Sequence, residues 1–173
     1  MKSLIASIAI VAVVGMAVGV GVQGADTASV AATVTVQNIS VTVADGTVAY
    51  GTLGVSTSKD TTSGGLNDTQ VATNNGNVAE NFAIKGSNSA NWTLAGAAGA
   101  DAYVHQFCTA GTGSPDPCDA TPTYTALTTV NQTLASSVAV SGTKRFDLKI
   151  TTPTSSTNFT EQSVNVTVLA TAS

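Results

Sequence analysis

The sequence predicts an all-β protein, an antiparallel β-sandwich of the jelly-roll type preceded by an N-terminal apolar signal helix. Apolar and polar residues alternate with a period of two in one segment after another. Turns rich in Gly, Asn and Pro separate these segments at intervals of about 8–15 residues, and no long helical pattern interrupts them. Only 9% of the residues are charged, so Thr, Ser and Asn must provide the polar surface, as is typical of an extracellular β protein.

The first 24 residues have the pattern of a secretory signal. Lys2 supplies a positive charge, residues 4–22 are apolar or small, and small residues follow at two places that suit cleavage. We predict a signal peptide over residues 1–24, with cleavage as late as residue 31 as the alternative, and a secreted or cell-surface protein. A retained anchor helix is the other interpretation, because the apolar run approaches the roughly 20 residues that span a bilayer. Membrane contact is expected only through this segment.

The chain after the signal is predicted to form one domain. About 145 residues remain, which is enough for a substantial core, and we assign residues 25–37 to an extended N-terminal strand and residues 38–173 to a single β-sandwich. The full chain has six Lys and Arg residues, Lys2 among them, against ten Asp and Glu residues. A mildly acidic protein without a basic stripe is not expected to bind nucleic acid.

The leading strand is the stretch ATVTVQNISVTV at residues 32–43. Its alternation slips by one residue at Gln37-Asn38, which predicts a bulge or a bend. Asp45-Gly46 follows as a tight-turn signal, so we predict a hairpin between this strand and residues 47–53. An uncharged edge strand without Pro is normally avoided because it pairs with other chains. The partner of its first half therefore lies either in the same sheet or in another copy of the protein.

The same alternation places the remaining strands. We expect residues 133–140 and 143–152 to pair across the Ser141-Gly142 turn, with Arg145, Asp147 and Lys149 on a solvated face. The large residues of the core are predicted to be Phe82, Trp92, Tyr103, Phe107 and Phe146. The other predicted strands are residues 69–74, 78–86, 91–94, 103–108, 123–127 and 161–171.

Cys108 and Cys118 flank the loop TAGTGSPDP. In an oxidising compartment they are expected to form one disulfide that closes this loop. The alternative is a pair of metal ligands, which the single His and the lack of further thiols do not favour.

The sequence contains no pattern of catalytic residues. His105, the one imidazole, lies within a predicted strand and has no nucleophile motif beside it, so it is interpreted as structural. We therefore expect no enzymatic activity and no cofactor. Calcium is the remaining alternative, with oxygen ligands from residues 66–70 or 114–120, although neither segment has EF-hand spacing.

Glycosylation is the one modification that the sequence indicates. The pattern Asn-x-Ser/Thr marks acceptor sites in secreted chains, although a sequence rich in Asn and Thr also produces it by chance. The candidate sites are Asn38, Asn67, Asn91, Asn131, Asn158 and Asn165.

Several short motifs together resemble the secreted sandwiches of the TasA and camelysin type. They are a secretion segment, an extended strand, the element Gly51-Thr52-Leu53, the stretch NNGNVAENFAIKGSN at residues 74–88, and a final V-x-V-x-V-x-A strand at residues 164–170. Members of that family are jelly-roll subunits of extracellular matrix fibres, in which the N-terminal strand of one subunit completes the sheet of the next. This chain is shorter, carries less charge and has the cysteine-flanked loop.

The resemblance implies a structural subunit that assembles into an extracellular or cell-surface filament, with itself as partner. Residues 25–37 would be donated to a neighbour by donor-strand complementation, and residues from Ile39 onward would belong to the subunit itself. The alternatives are a monomeric surface adhesin or carbohydrate-binding module and a surface-layer coat protein. The residues expected to form the intersubunit strand are Thr33, Val34, Thr35, Val36 and Gln37.

Overall fold

A computed structural model describes residues 26–110 and 117–173, and the predicted signal helix lies outside them. Residues 36–173 form one compact unit. Residues 26–35, the described part of the preceding unit, are exposed without exception and have no regular secondary structure. No helix among the described residues is long and apolar enough to cross a membrane.

The described residues are almost entirely β, as predicted. The only described helix, α1, spans four residues, Pro117–Ala120. The strands are β1 (Val41–Ala44), β2 (Ser58–Asp60), β3 (Gln70–Asn74), β4 (Glu80–Lys85), β5 (Thr93–Leu94), β6 (Ala102–Ala110), β7 (Thr125–Ala126), β8 (Gln132–Val138), β9 (Thr143–Thr151) and β10 (Thr167–Ala172).

The strands form two sheets. The larger has the order β1-β3-β9-β6-β5, with β2 paired to β9 and β7 paired to β6. The smaller has the order β10-β4-β8. Neighbouring strands are antiparallel except for β5 and β6, which are parallel. Strands β1 and β10 are therefore edge strands of their sheets.

One hydrophobic core is shared by the two sheets. Phe82 and Ile84 of β4 and Leu134 of β8 pack with Phe146 and Leu148 of β9. The predictions that Phe82, Tyr103, Phe107 and Phe146 are core residues are confirmed. Trp92 is only partly buried, because its indole lies beside a surface cleft that is described below.

The predicted hairpin of residues 32–43 with residues 47–53 is wrong. Asp45 and Gly46 do form a turn with positive φ angles of 64° and 68°, but β1 pairs with β3, Val41 facing Asn74. Residues 46–54 carry no strand assignment. The turn leads the chain away from β1, and the Tyr50 side chain reaches His105 of β6.

The predicted pairing across Ser141-Gly142 is also wrong. Strand β8 pairs with β4 in the smaller sheet, whereas β9 pairs with β3 in the larger one. The turn therefore carries the chain from one sheet to the other. Ser141 has a positive φ of 61°, and backbone hydrogen bonds join Ser141 and Gly142 to Asn74 of β3.

Asp147 is buried instead of solvated. Its exposed fraction is 0%, and its Oδ1 accepts hydrogen bonds from the hydroxyls of Thr61 and Thr69. The loop between β2 and β3 covers this face of β9, which the alternation within β9 alone does not reveal.

The predicted disulfide joins Cys108 of β6 to Cys118 of α1. The cysteines are ten residues apart, and Tyr124 packs against the bridge. Closing a loop of this size contributes about 2–3 kcal/mol to stability. Asp119 of α1 accepts a hydrogen bond from the backbone N–H of Ser63, which ties α1 to the loop between β2 and β3.

Replacing Phe82 by Ala should lower the free energy of unfolding by about 3–5 kcal/mol, because a large buried ring is removed from between the sheets. Urea unfolding followed by the fluorescence of Trp92, the single tryptophan, measures the change. Val130→Ala is the control, since Val130 is 71% exposed and its loss should change stability by at most about 0.5 kcal/mol. Equal effects of both substitutions would contradict the assigned core.

Candidate functional site

A cleft of about 900 Å³ with a mixed apolar and polar lining opens on the surface of residues 36–173. Its volume corresponds to roughly 30 water molecules, so several aliphatic side chains fit inside. Phe146, Leu148 and Ile150 of β9 line it, together with Val43 of β1 and Val168 of β10. The cleft therefore lies where the edge strands of the two sheets come together.

One segment beside the cleft is formed by residues 46–54, which are irregular, with positive φ angles of 68° at Gly46 and 74° at Gly51. Val48, Tyr50 and Leu53 are partly buried along it, while the residues between them are exposed. The backbone groups of residues 48–53 form no hydrogen bond with another described residue. Only the ends are tied, for example where the hydroxyl of Thr152 donates to the carbonyl oxygen of Gly54 at 2.7 Å.

A second segment beside the cleft leads into β10. In residues 161–168 every second side chain is partly buried, namely Gln162, Val164, Val166 and Val168. That is the pattern of a β-strand, yet the strand assignment begins only at Thr167. Among the described residues, the backbone of 161–166 has one bond, from the N–H of Asn165 to the hydroxyl of Ser87.

Within residues 26–110 and 117–173, neither residues 48–53 nor residues 161–166 have the hydrogen-bond ladder of a paired strand. Backbone N–H and C=O groups are strong hydrogen-bonding groups, and an exposed row of them is a template for another strand. The apolar lining between the segments would accept the side chains of one face of that strand. The cleft is thus suited to an extended peptide with alternating apolar residues.

One end of the cleft is aromatic and partly polar. The Tyr50 hydroxyl and Nε2 of His105 share a hydrogen bond of 3.0 Å, and Nε1 of Trp92 donates to the hydroxyl of Ser156 at 3.0 Å. Phe159, also in the lining, is 85% exposed. Burial raises the pKa of the Tyr50 hydroxyl, so this group stays neutral and keeps its proton.

His105 is buried in the wall of the cleft. Its Nδ1 has no hydrogen-bond partner among the described residues, and burial lowers the pKa of the imidazole to about 4. The neutral imidazole therefore shares its hydrogen bond with the Tyr50 phenol. The structural role of His105 stays a prediction.

The segment that precedes β1 has the alternation that the cleft would accept. Its even-numbered positions from 28 to 36 carry Ala28, Val30, Ala32, Val34 and Val36, and its odd-numbered positions carry mainly Thr and Ser. Val30, Val34 and Val36 are 93%, 91% and 81% exposed. The residues expected to form the intersubunit strand, 33–37, are exposed and carry no strand assignment.

The candidate glycosylation sites differ in their surroundings. Asn158 is partly buried, and its Oδ1 accepts hydrogen bonds from the N–H and the hydroxyl of Thr160. The Nδ2 of Asn91 donates to Oε1 of Gln162 at 3.4 Å. The remaining candidates are exposed, namely Asn38, Asn67, Asn131 and Asn165.

Among the described residues, no three His, Cys, Asp or Glu side chains are grouped as metal ligands would be. In the 66–70 segment, Asp68 accepts a hydrogen bond from the Gln70 amide at 2.9 Å. The other calcium alternative, residues 114–120, lies partly outside the described residues.

Sequence reasoning missed the cleft, and the leading strand over residues 25–37 stays a prediction. The alternation over residues 48–53 was interpreted as half of a hairpin, and residues 161–171 as one continuous strand. One signal could have pointed to the cleft. Val164 and Val166 belong to an alternating segment for which the sequence suggests no partner strand. Only the sheet order shows that β10 is an edge strand.

Comparison with known proteins identified no relative of this chain. The chain matches no family model, no curated protein and no solved structure. The resemblance to the TasA and camelysin type therefore stays a prediction from short motifs.

Burial of His105 should make stability depend on pH. The unfolded chain binds the imidazole proton below pH 6.5, whereas the folded chain binds it only below about 4. The contribution of His105 to the free energy of unfolding should therefore fall by about 3 kcal/mol as the pH drops from 6.5 to 4. Unfolding curves of the wild type and of His105→Gln across this range measure the contribution as a difference. An unchanged pH dependence in the variant would contradict it.

Proposed function

We propose that this chain is a secreted structural subunit, a jelly-roll-like β-sandwich that self-assembles into an extracellular or cell-surface filament by donor-strand complementation. The leading segment of one copy enters the cleft of the next copy and pairs with the two segments beside it. The partner is another copy of the same chain, and neither a cofactor nor nucleic acid takes part.

The observation that carries this proposal is the complementarity between the cleft and the leading segment. The cleft is lined by Val, Leu, Ile and Phe side chains and bordered by backbone groups without a ladder. The leading segment exposes Val30, Val34 and Val36 on one face. In strand addition, main-chain hydrogen bonds provide affinity and pockets for alternate side chains provide specificity.

The lengths of the two partners also agree. Residues 28–36, which hold the five even-numbered apolar positions, span about 27 Å at 3.3 Å per residue. Residues 46–54 contain the same number of residues and span no more than this distance, because Gly46 and Gly51 have positive φ angles. A single donated strand is therefore long enough to follow this edge of the cleft from end to end.

Charge favours the same occupant. The stretch from Thr27 to Ala44 contains no Asp, Glu, Lys or Arg residue, so no charge has to leave water when it enters the cleft. Each Val side chain transferred from water to the cleft would contribute about 1.5 kcal/mol or more. A head-to-tail contact of this type does not close on itself and therefore gives a filament.

Export is the remaining part of the proposal. The signal-like pattern of residues 1–24 and the disulfide between Cys108 and Cys118 support an oxidising compartment outside the cytoplasm. The low charge and the short motifs shared with the TasA and camelysin type support an extracellular fibre.

A binding module is the second candidate, favoured by the aromatic end of the cleft. Tyr50, Trp92 and Phe159 lie there with the polar side chains of Asn158 and Gln162, a combination that suits a carbohydrate. Electron microscopy of the purified mature protein separates the candidates, since filaments, flat sheets and single particles indicate a fibre, a coat and a monomeric module respectively.

Deletion of residues 25–37 should abolish polymerisation and leave a folded monomer, because the donated strand is removed and the cleft is kept. Electron microscopy and light scattering measure the loss. A synthetic peptide of residues 26–37 should then raise the unfolding temperature of the truncated chain, since a ligand that binds only the native state stabilises it. Polymerisation of the truncated chain to the wild-type extent would refute strand donation.

The two faces of the leading segment should respond differently to a charge. Val34→Asp should block assembly, because a carboxylate would be buried in the cleft at a cost of several kcal/mol. Thr35→Asp, the matched control on the opposite face, should still assemble. Sedimentation of both variants at one protein concentration tests the assignment, and equal assembly of the two would show that the even-numbered face does not enter the cleft.

A further inference from the structure

A network of hydrogen bonds surrounds the point where the leading segment joins the β-sandwich. We call residues 36–42 the root. The root lies beside the turn that follows β3, residues 75–80, and six hydrogen bonds connect the two. The ladder between β1 and β3 ends at Val41 and Asn74, so these contacts hold the chain beyond the end of the sheet.

Asn77 provides three of the six bonds. Its Oδ1 accepts from the backbone N–H of Asn38 at 2.8 Å, and its Nδ2 donates to the carbonyl oxygen of Val36 at 2.8 Å. Its own backbone N–H donates to the carbonyl oxygen of Asn38 at 3.1 Å. One amide side chain thus takes the place of a neighbouring strand for the first residues of the root.

Two further residues of the turn continue this pairing. The N–H of Asn75 donates to the carbonyl oxygen of Ser40 at 2.8 Å, and its Nδ2 donates to the Thr42 hydroxyl at 2.7 Å. Glu80 is fully buried, and its Oε1 accepts from the N–H of Ser40 at 2.8 Å.

Gly76 allows the root to approach this closely. A Cβ at this position would overlap both Oε1 of Glu80 and the carbonyl oxygen of Asn38. The turn therefore needs a residue without a side chain where the root crosses it. We call these contacts the clamp. The backbone of the turn and the side chains of Asn75, Asn77 and Glu80 all bind residues of the root.

We propose that Asn77 is a positioning residue that makes the filament stiff by holding the root of the donated strand. This inference depends on the proposed function. Val36 and Gln37 belong both to the root and to the proposed intersubunit strand, so no linker separates that strand from the clamp. The orientation of each domain relative to the strand that it donates is then set by the root. A loose root would act as a hinge at every subunit junction.

Asn77→Ala tests the clamp in the full mature chain. The variant loses the two side-chain bonds and keeps the strand and the cleft, so filaments should form but bend more. The expected results are a shorter persistence length in electron micrographs and amide exchange at Asn38 that is about tenfold faster in the unassembled subunit, as the loss of two hydrogen bonds implies.

Asn81→Ala is the matched control. Asn81 also makes two hydrogen bonds to the backbone, from Ser137 and to Ala172, but neither reaches the root. It should lower the stability of the subunit by a similar amount and leave the persistence length unchanged. Should Asn77→Ala fail to fold, Thr42→Val removes the bond from Asn75 alone and should shorten the persistence length to a smaller extent.

The outcomes separate the two proposals. Wild-type protein without filaments would overturn the proposed function itself. Wild-type filaments together with equally straight Asn77→Ala filaments would overturn the clamp and leave strand donation standing. Complete loss of assembly in folded Asn77→Ala would also overturn it, because Asn77 would then be needed for insertion and not for stiffness. Equal softening by Asn81→Ala would attribute the effect to stability alone.

Discussion

The structure depends on the requirement that extended backbone finds hydrogen-bond partners. In strands β1 to β10, the pairing within the two sheets meets this requirement. Along the cleft it is not met, since residues 48–53 and 161–166 have almost no backbone bonds to other described residues. The side chains of Val48, Tyr50, Val164 and Val166 nevertheless alternate as in a strand. Side-chain packing therefore sets the conformation of both segments and leaves their hydrogen-bonding groups available for pairing.

The proposed assembly uses this property at two places. In the cleft, strand addition would complete the ladders beside β10 and bury the apolar lining. At the root, the side chains of Asn77 and Glu80 already replace a ladder within the subunit. In the proposed assembly, the first place would decide whether two copies join and the second would decide how they are oriented. Residues 36–39 are as exposed as residues 26–35, but hydrogen bonds from the turn after β3 reach Val36 and Asn38.

Local patterns predicted much of the fold. The two-residue period gave most of the strands, and Phe82, Phe107 and Phe146 were recognised as core residues because they lie on the apolar faces of those strands. The pairing of strands was harder to predict. Asp45-Gly46 and Ser141-Gly142 are real turns, yet each leads the chain out of its sheet. A turn signal predicts that the chain changes direction, but it does not predict which strand the next segment pairs with. Asp147 was misjudged for a related reason, since Thr61 and Thr69, which cover it, come from a distant loop.

The sequence alone determined the β class, the candidate export signal, the cysteine pair and the uncharged leading segment, because each of these is a property of neighbouring residues. Only the tertiary structure decided that β1 and β10 are edge strands, that a cleft lies between the segments beside them, and that the turn after β3 holds the root. These features depend on which strands share a sheet. That choice is made by contacts between residues far apart in the chain, such as Val41 with Asn74 and Asn38 with Asn77.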